Sequence, residues 1–101
     1  MFVHAVYFYF RENLTLEERA TFDTRAKALL TIKGVEHGYL GVPAATDRPV
    51  IERGYSKALV LVFADEKAER AYQVDPIHDV FRDECGSFWT SVRIYDSVDD
   101  G

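Results

Sequence analysis

In Tyr72-Gln73-Val74-Asp75-Pro76-Ile77-His78-Asp79-Val80-Phe81 a phenol and an imidazole stand on either side of a proline. Proline ends one helix and suits the first turn of the next, so Tyr72 falls in the last turn of one helix and His78 near the start of another. A helix N-terminus disfavours an imidazolium, which keeps His78 neutral and able to accept a proton. A weakly acidic carbon held between the two rings could lose its proton to His78 while Tyr72 stabilises the oxyanion that develops. His4 shares a strand face with Val6, Phe8 and Phe10. An apolar cavity under the helices would then hold a few convergent polar groups, as ligand sites do. Its candidate lining is His4, Val6, Phe8, Phe22, Lys57, Leu59, Phe81 and Trp89, around Tyr72 and His78 as the catalytic pair. The same residues are compatible with ligand binding without chemistry, or with a structural role in which both rings bond to backbone groups.

The other reactive side chains carry less. His4 reads first as a satisfied core histidine, and Trp89 and the phenylalanines are more often core than substrate platform. His37 falls on the second strand and could simply be exposed. A metal site from His4, His37 and His78 lacks any close-spaced ligand pair, so no metal and no other cofactor is expected. Cys85 has no adjacent base and reads as a buried, inert thiol. Arg53 and Lys57 could meet an anionic group or simply face water. With net charge -5 and pI near 5.1, the chain lacks the clustered cations that nucleic acid or an anionic membrane demands. The apolar run from Val3 to Phe10 contains His4 and is too short to span a bilayer. One cysteine and no leader-like segment point to a cytoplasmic protein.

The elements that must position these residues follow from local pattern. Phe2 to Phe10 is β-branched and aromatic and reads as a strand with two apolar faces, Phe2/His4/Val6/Phe8/Phe10 and Val3/Ala5/Tyr7/Tyr9, so both faces need a cover. Thr15-Leu16-Glu17-Glu18 has capping-box spacing and starts a helix to about Thr31, with Leu16, Ala20, Phe22, Ala26, Leu29 and Leu30 as its apolar side. Gly34 ends it. Val35 to Val42 is a second strand, Pro43 to Gly54 a long loop, and Tyr55 to Phe63 a central strand around Ala58-Leu59-Val60-Leu61-Val62-Phe63. Asp65 caps a short helix to Val74, and Asp75 caps the helix that Pro76 opens and Cys85-Gly86 closes. Phe88 to Tyr95 is the last strand. Residues 1–97 form the domain, and 98–101 an acidic, frayed tail.

That order, at 101 residues and 48% hydrophobic composition, predicts one α+β domain of the ferredoxin-like split βαβ type. Helices would cover one face of a four-stranded antiparallel sheet. The other face, with Tyr7 and Tyr9, would be an exposed apolar patch, which marks an interface. A two-fold homodimer with the sheets face to face, closing a dimeric α/β barrel, is therefore expected.

Phe2-Val3-His4, Glu52-Arg53-Gly54-Tyr55, Tyr72-Gln73-Val74-Asp75-Pro76-Ile77-His78, Phe88-Trp89 and Ile94-Tyr95-Asp96 together resemble the stress-responsive A/B barrel (Dabb) family over nearly the whole chain. The resemblance implies the same dimeric ferredoxin-like barrel. It also implies a choice between stress proteins without known chemistry and plant enzymes similar to olivetolic acid cyclase and to a fern hydroxynitrile lyase. The cyclase's catalytic tyrosine and histidine match Tyr72 and His78, and a pocket histidine matches His4. A second pocket histidine falls at Lys57 and a pocket tyrosine at Ala26, so the cyclase's substrate does not carry over.

Overall fold

The structure is a computed structural model describing residues 1–101, in the order β1 (Phe2–Phe10), α1 (Leu16–Leu29), β2 (Val35–Gly41), β3 (Lys57–Phe63), α2 (Glu66–Gln73), α3 (Pro76–Cys85) and β4 (Trp89–Val98). The strands form one sheet in the order β2-β3-β1-β4, with each pair antiparallel. With all three helices on one side, this is the ferredoxin-like sandwich. No helix is long and apolar enough to cross a membrane.

The helix boundaries have local causes. Thr15 Oγ1 accepts from Glu18 N and the Glu18 side chain accepts from Thr15 N, so the capping box is complete. Asp65 caps α2 through Ala68 N. Asp75 caps α3 through Ile77 N, one residue before Pro76. α1 ends at Leu29 with Leu30 as its C-cap, short of Gly34, which turns the chain into β2 at φ 99, a conformation only glycine adopts without strain.

Central strand β1 alternates strictly. Phe2, His4, Val6 and Phe8 are buried beneath the helices, while Val3, Ala5 and Tyr7 on the opposite side are partly exposed. Cross-strand register extends the split: His4 faces Leu61 and Asp96, and Val6 faces Leu59 and Ile94. Phe22, Ala26 and Leu29 of α1 are fully buried against this face. Leu16 and Ala20, expected on that side, are exposed. At about 100° per residue Ala20 lies roughly 200° around the helix from Phe22, off the inward line.

One strand boundary also differs from expectation. β4 runs to Val98 rather than Tyr95, because Ser97 pairs with Val3 and Val98 with Phe2. The terminal amine lies 3.3 Å from Asp99 beyond it. The chain between β2 and β3 lies over the sheet face away from the helices, where the Tyr55 ring meets Tyr7 edge-on at 5.0 Å.

Phe22 anchors the aromatic core, with ring centroids 5.0 Å from Phe8, 4.8 Å from Phe10 and 5.7 Å from Phe81. Phe22→Ala is expected to destabilise the fold by about 3–5 kcal/mol, read as a lower urea midpoint. A loss below about 1 kcal/mol would contradict this packing.

Candidate functional site

The helices lean over β1 and β3 and leave the helix-facing side of β4 partly bare, with Ile94 52% exposed. Between that strip and α3 lies a cleft of about 220 Å³. Phe8, Trp89, Val92 and Ile94 line it from the sheet, and His78, Phe81 and Arg82 from α3. Tyr72 and Gln73 from α2, with His4, Val6 and Leu59, close its inner end.

The break at Asp75-Pro76 sets the polar geometry. Tyr72 ends α2 pointing into the core, and α3 restarts so that His78, Phe81 and Cys85 face inward. The Tyr72 and His78 rings meet edge-to-face with centroids 4.9 Å apart, and the His4 and Tyr72 rings at 5.9 Å. Neither Tyr72 nor His78 hydrogen-bonds the backbone at the helix junction through its side chain; both rings pack in the interior. His78 Nδ1 is buried with no hydrogen-bond partner.

The two rings are pushed in opposite senses. Burial, followed by the Arg82 guanidinium one turn along α3, holds the His78 pKa below the ordinary 6.5, with Asp79 opposing, His4 adding a lesser push down and Glu69 a lesser one up. Burial, assisted by Glu69, drives the Tyr72 phenol far above 10.0. At neutral pH the pair is therefore a neutral imidazole beside a protonated phenol, an acceptor beside a donor.

His4 is 4% exposed and well partnered. Its Nδ1 lies 2.6 Å from Asp96 Oδ1 and 3.8 Å from Glu69 Oε2. Glu69 accepts a hydrogen bond from Gln73 Nε2 at 2.6 Å. The structure thus brings His4, Val6, Phe8, Leu59, Phe81 and Trp89 together with Tyr72 and His78. Two expected lining residues lie elsewhere. Phe22 is fully buried behind Phe8 and Phe81, one layer too deep. Lys57 pairs with α1, its Nζ 2.9 Å from Asp23 Oδ1, a contact of charges without hydrogen-bond alignment. His37 is exposed on β2 in register with Val62, on the opposite sheet face from His4. Burial and Glu84 push the enclosed Cys85 thiol up to about 11.

Sequence reasoning missed Glu69, Gln73, Arg82 and Asp96. Helical spacing carried a signal for three of them, since Glu69 lies four residues before Gln73 on α2 and Arg82 four residues after His78 on α3. Asp96 becomes a partner of His4 only once β4 is in register with β1.

A second cavity, of about 360 Å³, lies on the opposite sheet face among Tyr7, Tyr9, Tyr55, Tyr95, Glu52 and Arg93. Burial, then neighbouring Tyr39, Tyr55 and Tyr95, raise the Tyr7 pKa. Arg93 lies over the Tyr9 ring at 5.4 Å.

Similar structures share the whole architecture. A Dabb family protein with a ferredoxin-like fold from Mesorhizobium loti is 27% identical, with 99% of this chain and 97% of that one aligned at a TM-score of 0.79. A dimeric ferredoxin-like protein of unknown function from Thermobifida fusca is 18% identical over 95% and 88% of the two chains, at 0.77. A hydroxynitrile lyase from Passiflora edulis is 12% identical over 99% and 94%, at 0.79. No curated protein is detectably similar in sequence. The model of the stress-responsive A/B barrel domain matches residues 2–99, and the chain belongs to that family, Dabb.

Proposed function

We propose that this Dabb protein is a homodimer whose helix-side cleft takes a small carbonyl or aromatic ligand and moves a proton on it, in a lyase- or cyclase-like reaction. The carrying observation is the pairing of Tyr72 and His78 in one cleft, with burial holding the phenol protonated and the imidazole neutral. In this reading His78 takes a proton from a carbon beside the ligand's carbonyl. Tyr72 donates a hydrogen bond to the oxygen on which charge develops. Phe81, Trp89, Val92 and Ile94 hold the apolar body. About 220 Å³ is below the usual range for drug-sized ligands, so the ligand is small. The Passiflora lyase supports the reaction class through shared fold alone.

The dimer reading rests on the sheet face opposite the helices. That face combines Val3, Ala5, Tyr7 and Val60 with the half-exposed Tyr39 and Tyr95, too apolar an area to leave bare. Several structures with this fold are described as dimeric. Sedimentation at micromolar concentration should give a dimer, and Tyr7→Asp, which places a charge in the patch, should shift it to monomer. A monomeric wild type sinks this part of the proposal.

The ligand reading is tested by a thermal-shift and calorimetric screen of aromatic acids, phenols and aldehydes on wild type and His78→Ala. At least one class should bind, with affinity about tenfold lower in the variant, the worth of one hydrogen bond. Proton abstraction, followed as deuterium exchange into the bound carbonyl compound, needs neutral His78. Protonation removes the acceptor, so the rate should fall on acidification with its midpoint below 6.5. Absence of any binding, or a rate that rises on acidification, contradicts the proposal.

A further inference from the structure

His4 enters the reading above only as part of the cleft wall, but its surroundings are those of a working group. On the β1–β4 pair, His4 and Asp96 are cross-strand partners, and the Nδ1 to Oδ1 distance is 2.6 Å. An ionised carboxylate can only accept a hydrogen bond, so a neutral imidazole in this contact carries its proton on Nδ1. The lone pair is then on Nε2, on the ring that borders the cleft. Carboxylate-held histidines take this form when the far nitrogen has chemistry to do.

We propose that Asp96 is a positioning residue that fixes His4 as the Nδ1–H tautomer and makes His4 Nε2 a second proton acceptor of the cleft, alongside His78. The inference rests on reading the cleft as a proton-transfer site. In the step it describes, the ligand's C–H bond breaks and an N–H bond forms at Nε2. The electron pair passes onto the ligand's carbonyl oxygen, where the Tyr72 hydroxyl meets it. No oxidant or reductant is involved.

Charged and polar groups reach His4 from several elements. Asp96 approaches from β4 and Glu69 from α2, with carboxylate oxygens 2.6 Å and 3.8 Å from Nδ1. Gln73 holds Glu69 in place. From α3 come His78 and the Arg82 guanidinium, and from β3 the cross-strand neighbour is uncharged Leu61. Two carboxylates thus lie on the Nδ1 side of His4, whereas burial and the Arg82 guanidinium bear on His78. The two histidines divide the work. His78 is held neutral by burial, and His4 is held in orientation by Asp96.

Long-range proton–nitrogen correlation spectra of the imidazoles, assigned with His4→Gln, test this at neutral pH. Wild type should show His4 protonated on Nδ1 with Nε2 free, and Asp96→Ala should convert it to the Nε2–H form while the amide spectrum of β4 is retained. Should the alanine variant unfold, Asp96→Val, whose branched side chain suits a strand, carries the same readout. Deuterium exchange into a bound ketone should fall about tenfold or more in either variant, with little change in half-saturation. An Nε2–H signal for His4 in wild type, or a tautomer indifferent to Asp96, overturns the proposal. The expected tautomer with no exchange in wild type overturns the proton-transfer reading instead, and leaves the Asp96–His4 pair as a structural contact.

Discussion

A histidine on the covered face of the central strand has to be given polar company, because an unpartnered polar group in an apolar interior costs several kcal/mol. Here that requirement is met from two directions at once. β4 brings Asp96 across from His4, and α2 brings Glu69 over it. The consequences reach outward from this contact. Glu69 is placed by α2, so α2 ends with Tyr72 beside His4, and the Pro76 break returns the chain with His78 against Tyr72. The cleft is the space left where α3 stops short of covering β4.

The two faces of the sheet solve different problems. On the helix side, aromatic packing among Phe8, Phe22, Phe81 and Trp89 fills the wide end, and the polar residues collect at the narrow end. On the other side, the β2–β3 connection covers only part of the area, leaving Tyr7, Tyr55 and Tyr95 with their rings packed together. Tyrosine suits such a face, since it offers a large apolar body with a polar tip. The helix-side cavity therefore reads as a place for a small molecule, and the sheet face as a place for another subunit.

Much of this was legible in the sequence because it depends on short-range chemistry. The capping box at Thr15, the Asp75-Pro76 junction and the alternation of β1 are decided by neighbours a few residues away, and each stands as read. A helix turn and a strand period turn Tyr72, His78 and His4 inward, and packing brings the His4 and Tyr72 rings to 5.9 Å and the Tyr72 and His78 rings to 4.9 Å. The errors lie where depth or register decides. Phe22 and Phe8 look alike as aromatic residues on inward faces, but Phe22 sits a layer behind the cleft. Lys57 is on the cleft-side strand face, yet Asp23 of α1 draws its amine away. Leu16 has a helical position and a hydrophobic side chain, and still points to water because the inward line of α1 passes through Phe22, Ala26 and Leu29. Asp96 was hidden most completely, since nothing near it in sequence announces a histidine on another strand.

The proposed chemistry requires a small ligand to bind in the cleft beside Tyr72 and His78. Amide and indole chemical shifts, followed during titration of the labelled protein with a small aromatic ketone, test this most directly. The predicted result is saturable perturbation of Tyr72, Gln73, His78, Arg82 and the Trp89 indole, with the sheet-face residues Tyr7, Tyr9, Tyr55 and Tyr95 unmoved. Perturbation confined to those four tyrosines would place ligand binding on the other side of the sheet and contradict it.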